Sequence, residues 1–114
     1  EVLLLETDPA LARSLLASQQ RLQVAALRVE QADALAWMAR SPPQRYDLVL
    51  LDPPFDAGLQ APALAAAAPL AVPGGLLYLE SPATLAASDV PAGFALLRQG
   101  RAGAVHYHLL RRNT

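Results

Sequence analysis

The sequence predicts an α/β fold: a largely parallel sheet with an antiparallel hairpin at its C-terminal edge. Three observations carry that expectation. Short apolar runs alternate with stretches of helical spacing. The first and third runs are apolar almost throughout, as strands covered on both faces are. The last two runs have no helix between them, so they pair as a hairpin. Strands joined through helices imply right-handed crossovers and parallel pairing.

The elements follow in order. Val2 to Leu5 is a short, continuously apolar strand. Asp8-Pro9 supplies a helix N-cap with proline in the first turn. Leu11, Leu15, Leu16 and Leu22 then give helical spacing. Val24 to Val29 reads as the second strand, and Asp33 caps a helix from about Ala34 to Ala39. Ser41-Pro42-Pro43 breaks it. Tyr46 to Leu51 is the third strand and the most apolar of the set. Leu59 to Leu70 is Ala-rich and reads as a helix rather than a linker. Pro73-Gly74-Gly75 is expected to turn into a strand from Leu76 to Glu80. Phe94 to Arg98 and Val105 to Leu110 make the final pair, with a turn around Gly100 to Gly103. No internal repeat is visible.

Composition sets the bounds. The 114 residues suffice for one domain, 1–114, and one core. Hydrophobic residues make up 54% and charged residues 17%, which argues for a packed domain and against disorder. The net charge of −1 excludes binding of nucleic acid by overall charge and leaves only a local patch. All nine basic residues are arginine, which fits a GC-rich genome better than it fits a function. The absence of cysteine excludes a disulfide frame, a thiolate metal site and a cysteine nucleophile, and it is compatible with the cytoplasm. No apolar run approaches the ~20 residues that span a bilayer, so no membrane role is expected. The start, "EVLLLETD", is too short and too acidic for a signal peptide. A beginning in mid-strand without Met suggests a partial domain.

In open α/β sheets, ligands lie off the carboxyl ends of the strands. Three strands end there in acids: "LLLE" in Glu6, "LVLLD" in Asp52 and "LLYLE" in Glu80. Asp33 follows the second strand closely. Carboxylates on one rim must stay solvated or find partners, and folding alone does not call for them. Glu6 is placed to accept from two ribose hydroxyls, or it is a solvated loop acid. Asp33 either accepts from the exocyclic amine of a purine or caps its helix; Asp8 reads as a cap.

The stretch "DLVLLDPPF", Asp47 to Phe55, is sharper. Prolines cannot donate to a ladder, so the strand must stop at Asp52. The Asp52 carboxylate and the Pro53 carbonyl, held by the stiff Pro53-Pro54 corner, are two acceptors that can orient an amino group by its two N–H donors. The ring of Phe55 can stack on a flat heterocycle. The structural alternative is a strand-ending turn with a core Phe.

Other candidates are weaker. His106 and His108 alternate with Tyr107 and face one side of the last strand. They have metal-ligand spacing but no evident third ligand, so a surface or partly packed strand face is favoured and no metal is expected. Trp37 and Met38 read as core. Arg98, Arg101, Arg111 and Arg112 can meet phosphate or simply guard an edge against strand pairing.

These residues carry a resemblance. "DLVLLDPPF" resembles motif IV of S-adenosylmethionine-dependent amino-methyltransferases, [DNS]-P-P-[FYW]. The series "VLLLETDPA", "VEQADALAWM", "YDLVLLDPPFDAGL", "GGLLYLE" and "AGAVHYHLLRR" resembles, in order and over nearly the whole chain, the bacterial 16S rRNA guanine-N2 methyltransferases of the RsmD type. The DPPF corner is moderately specific, since DNA adenine methyltransferases share its pattern; the combination points to this family. The resemblance implies a Rossmann-like class I methyltransferase sheet, S-adenosyl-L-methionine as cofactor, and ribosomal RNA within a 30S particle or assembly intermediate as partner. It implies that Glu6 binds the cofactor ribose and that Asp33 with the backbone of Ala34 holds the adenine. Asp52 and the Pro53 carbonyl would orient the guanine N2 amine, with Pro54 stiffening the corner and Phe55 stacking on the flipped base. Asp52 would also lie beside the cationic sulfonium.

One departure bears on activity. The family opens its catalytic domain with a strand and a Gly-rich loop of the D-x-x-x-G-[ST]-G type, which cradles the cofactor's methionine part. This sequence has no such loop, and its six glycines are scattered. In the family's sheet that strand lies between those containing Leu3 to Leu5 and Val49 to Leu51. Without it, two long apolar edges are expected to be exposed and to favour association. The 114-residue polypeptide alone is therefore expected to be a poor catalyst, and robust turnover by it would refute that. Two other readings remain: a DNA or protein amino-methyltransferase sharing the corner, and a non-catalytic nucleotide-binding module. The extra domain with which DNA enzymes read sequence is not visible here.

Overall fold

The computed structural model describes residues 1–53 and 58–114. Its elements run β1 (Val2–Glu6), α1 (Pro9–Leu22), β2 (Leu27–Gln31), α2 (Ala34–Ala39), β3 (Tyr46–Leu51), α3 (Gln60–Ala67), β4 (Ala71–Ser81), β5 (Phe94–Ala102) and β6 (Val105–Arg112). Short 3-10 turns cover Ala68–Leu70 and Ala87–Asp89. Two compact units result, Glu1–Arg40 and Ser41–Thr114.

In the first unit, β1 and β2 pair in parallel, from Val2 opposite Leu27 to Glu6 opposite Gln31. The connecting helix α1 starts where predicted. Asp8 is its N-cap, accepting from Ala10 N at 2.8 Å and Leu11 N at 3.2 Å, with Pro9 in the first turn. Its C-cap is Gln23, in the left-handed region at φ 55°. The second strand begins three residues later than expected. Val24 to Ala26 are spent on the connection: Val24 N donates to Gln19 O, and the Gln19 side-chain amide donates to the carbonyls of Val24 and Leu27. Apolar character alone does not separate such a connection from a strand. Helix α2 has the predicted limits and buries Met38. Trp37 is half-buried rather than fully in the core.

In the second unit the strand order is β3-β4-β6-β5. β3 and β4 are parallel, and β4/β6 and β6/β5 are antiparallel. The terminal pair is therefore the expected antiparallel hairpin, with β6 inside and β5 at the edge. Alternation along the strands builds one covered face from Leu51, Leu77, Leu79, His108 and Leu110. Helix α3 and the 3-10 turn close it with Ala63, Leu64, Ala67 and Leu70. Burying a leucine here is worth about 2–3 kcal/mol.

Three features differ from expectation. Pro73-Gly74-Gly75 lies inside β4 rather than before it, as an irregularity: Tyr46 pairs with Ala71, but Leu48 pairs with Leu76. Only glycine fits at position 75, where a Cβ would sit 2.8 Å from Val72 O and 3.3 Å from Asp47 O. β5 runs on to Ala102, so Gly100 is a strand residue; a Cβ there would overlap the Tyr107 phenol. Finally, β3 is not covered on both faces. Leu48 is 48% and Leu50 69% exposed, on the face opposite α3. Each of β1 and β3 has one ladder partner among the described residues, β2 and β4 respectively.

Candidate functional site

Each unit carries acids at the carboxyl ends of its parallel strands. In the first unit, Glu6 closes β1, and its carbonyl accepts from Ala32 N at 3.0 Å, tying the ends of the two strands together. The Glu6 carboxylate is half-buried and accepts from Asp8 N at 3.2 Å. That contact turns the carboxylate toward the turn entering α1. Asp33 caps α2: its Oδ1 accepts from Leu35 N at 3.0 Å and Ala36 N at 3.4 Å. The capping alternative is thus realised through Oδ1. Glu6 and Asp33 share one rim of the β1/β2 sheet.

In the second unit, Asp52 follows β3 and is exposed, with Pro53 half-buried behind it. The β3/β4 register sets Leu51 opposite Leu79, which brings Asp52 level with Glu80. Pro54 and Phe55 lie outside the described residues. Tyr78 joins Glu80 and Asp52 here. Strand alternation puts its side chain on the same face as that of Glu80, and Tyr107 comes across from β6, opposite Glu80. Desolvation, then the charges of Glu80, Tyr107 and Asp52, hold the Tyr78 phenol above its ordinary 10.0. The signal that could have found it is the i, i+2 spacing in "YLE".

That shift has a sign. The folded protein holds the phenolic proton more tightly than the unfolded chain does. The resulting stability is complete below pH 10.0 and is lost as pH rises through the folded value. Phenolate absorbance should therefore show Tyr78 ionising later than a free tyrosine. Asp52→Asn, which removes one of the charges, should bring that ionisation to lower pH. An unmoved titration would mean the two groups do not interact.

His106 and His108 do share a face, but His108 is fully buried, not a surface residue. Its Nε2 accepts from Leu85 N at 3.1 Å, so Nδ1 carries the proton and donates to Leu79 O at 3.3 Å. It is an internal strut for the loop after β4. Among the described residues no group of three His, Cys, Asp or Glu side chains is placed to hold a metal. The four arginines divide between two faces: Arg98 and Arg111 on one, Arg101 and Arg112 on the other. Arg112 donates to Ala71 O at 2.7 Å and Arg101 to Gly103 O at 2.7 Å, so both have structural work. A cavity of about 370 Å³ near Arg111 and Arg112 lies at the opposite edge of the sheet from the acids.

The conserved hypothetical protein 95 family model matches residues 1–111. The chain belongs to this family, that of the RsmD-type methyltransferases. Among solved structures it is similar to the candidate methyltransferase yhhF of Escherichia coli, at 27% identity and a TM-score of 0.84, over 98% of this chain and 62% of that one. It is also similar to a candidate methylase of Haemophilus influenzae, at 26% identity and a TM-score of 0.86, over 100% of this chain and 73% of that one. A third similar structure is the 16S rRNA guanine-N2 methyltransferase RsmC of Thermus thermophilus, solved with AdoMet and guanosine. There the identity is 25% and the TM-score 0.64, over 98% of this chain and 29% of that one. No curated protein matches. The chain thus spans 62% of the Escherichia coli relative. The RsmD-type family and its Rossmann-like fold agree with the expectation from sequence.

Proposed function

We propose that this chain is the larger part of a methyltransferase that moves the methyl group of S-adenosyl-L-methionine to the exocyclic N2 amine of a guanine in small-subunit rRNA. The observation that carries the reading is the Asp52-Pro53 corner. It puts a solvated carboxylate and a backbone carbonyl together at the carboxyl end of β3, level with Glu80. Two such acceptors can aim an amine by its two N–H donors. The family membership and the guanosine-bound relative support the same chemistry.

The roles follow from the donor set. Glu6 offers a carboxylate oxygen to the cofactor's ribose hydroxyls. Asp33 Oδ2 and the Ala34 backbone face its adenine. Asp52 and the Pro53 carbonyl take the two N–H donors of the guanine amine and turn its lone pair toward the methyl group, while Phe55 stacks on the base. The cofactor supplies an already activated methyl, so positioning accounts for much of the acceleration. Asp52 works as an ionised acceptor, favoured beside a sulfonium cation. Held by Glu6, Asp33 and the Ala34 backbone, the cofactor would supply a methyl whose carbon–sulfur bond would break as the nitrogen–carbon bond formed, the amine's extra proton passing to water. The substrate is ribosomal RNA in a 30S particle or assembly intermediate, in the cytoplasm.

The test is incorporation of labelled methyl from S-adenosylmethionine into assembled 30S particles, free 16S rRNA and duplex DNA, followed by nucleoside analysis. N2-methylguanosine in the ribosomal samples is the expected product. Label on DNA adenine would favour the sister class of amino-methyltransferases and overturn this assignment.

A further inference from the structure

The C-terminal hairpin carries a charge of its own. From Val90 to Thr114 there are four arginines and no acidic residue, while residues 1–89 hold all ten acids and five arginines. A block of one sign in a protein of net charge −1 is a local patch of the kind that meets polyanions. Arg101 and Arg112 are tied to backbone carbonyls. Arg98 and Arg111 are exposed and have no hydrogen bond or ion pair among the described residues.

Strand alternation sets those two on the sheet face away from α3 and adds an aromatic ring to them. Along β6 that face reads Tyr107, Leu109, Arg111; beside them on β5 stand Gly100, Arg98 and Ala95. Tyr107 lies over Gly100, where a Cβ would overlap its phenol. Glycine weakens a strand, and here it makes room for the ring to lie against the neighbouring backbone. The Tyr107 side chain is still 38% exposed, so the ring is supported from below and open above. From Tyr107 to Arg111 the strip is about 13 Å long. Beyond Arg111 it meets the hollow of about 370 Å³, whose lining has no acidic side chain among the described residues. The acids lie on the other flank: Glu80 is opposite Tyr107 on β4, and Asp52 follows β3, one strand further.

A supported ring beside unpaired guanidiniums suits single-stranded nucleic acid, whose bases have free faces and whose phosphates pair with arginine. We propose that the β5/β6 strip docks single-stranded RNA flanking the target nucleotide: a base stacks on Tyr107, and Arg98 and Arg111 hold phosphates. The proposal rests on the RNA substrate read above. Glu80 and Asp52 repel the RNA backbone, so it runs along the arginine flank. Asp52 lies about 10 Å from β6, two strand spacings away, so a neighbouring nucleotide can reach it. An acidic peptide would use the arginines and be indifferent to the ring.

The test is binding of a short fluorescein-labelled oligouridine to the 114-residue chain, read by anisotropy over a range of salt. Oligouridine has no guanine, so it reports on the strip and not on the amine site. Arg98→Gln and Arg111→Gln should each weaken binding several-fold and lower the slope of log affinity against log salt by about 0.7, the share of one phosphate on a single strand. Tyr107→Leu should weaken it about fivefold or more, and Tyr107→Phe should keep it. Arg13→Gln, an exposed arginine of α1, should bind as the wild type does. The two arginine variants alter exposed side chains only, so they report even if Tyr107→Leu folds poorly. Unchanged affinity and salt slope in both arginine variants would overturn the strip and leave the methyltransferase reading standing. Polyglutamate that competes as well as oligouridine, with Tyr107→Leu silent, would replace RNA with an acidic peptide. No oligouridine binding by the folded chain would overturn the strip as well, while methyl transfer to 30S particles would still decide the methyltransferase reading by itself.

Discussion

Asp52→Ala should lower methyl transfer by about a hundredfold or more while leaving affinity for S-adenosylhomocysteine nearly unchanged. The asymmetry is the point. Asp52 is exposed at the end of β3 and has no side-chain hydrogen bond among the described residues. Its removal should therefore cost little stability and unfold nothing. Glu6 and Asp33, which we assign to the cofactor, belong to a different unit of the chain. Loss of Asp52 thus removes an interaction with the attacking amine and spares cofactor binding. Single-turnover transfer to RNA, with protein in excess, measures this even in a slow catalyst. A non-catalytic nucleotide-binding module predicts no change in either quantity. A variant that loses transfer and cofactor affinity together would move Asp52 into the cofactor site.

The largest effect on stability is expected at His108. His108→Leu keeps an apolar residue of similar size in the core but leaves Leu85 N without its acceptor and Leu79 O without the imidazole donor. A group left unmet away from water costs about 1–3 kcal/mol, and with Leu85 N only part-buried the loss should come to roughly 2–3 kcal/mol. That is a large fraction of the stability of a domain this size. Urea denaturation reads it as a lower midpoint at constant slope. A change of under about 0.5 kcal/mol, the size expected of an ordinary surface position, would mean that His108 is not the strut described.

Much of the fold was legible because several segments obey one local rule. Asp8-Pro9 and Asp33 announce the helix starts, and Tyr46 to Leu51 ends where the prolines require. What was not legible depends on the tertiary partner. Nothing in "VAALRV" says that Gln19 will bind the carbonyls of Val24 and Leu27 and delay β2. Nothing local in "PGG" distinguishes a turn from a strand irregularity; the close approach of Val72 and Asp47 does. Alternation put His106 and His108 on one face but could not foretell that the 81–89 loop would lie over His108. The candidate site divides the same way. Glu6, Asp33 and Asp52 could be read from strand ends, since each follows its own strand. Tyr78 could not, since its meaning comes from the neighbours that β4 and β6 bring to it.

The central claim is that the acids on these strand ends serve S-adenosylmethionine. Calorimetric titration of the folded 114-residue chain with S-adenosylhomocysteine tests it most directly, with Glu6→Ala and Asp33→Ala run alongside. The account predicts binding that weakens about tenfold in each variant, the size expected for losing hydrogen bonds to a charged acceptor. A folded chain that gives no binding heat, or binds equally in all three forms, would contradict it.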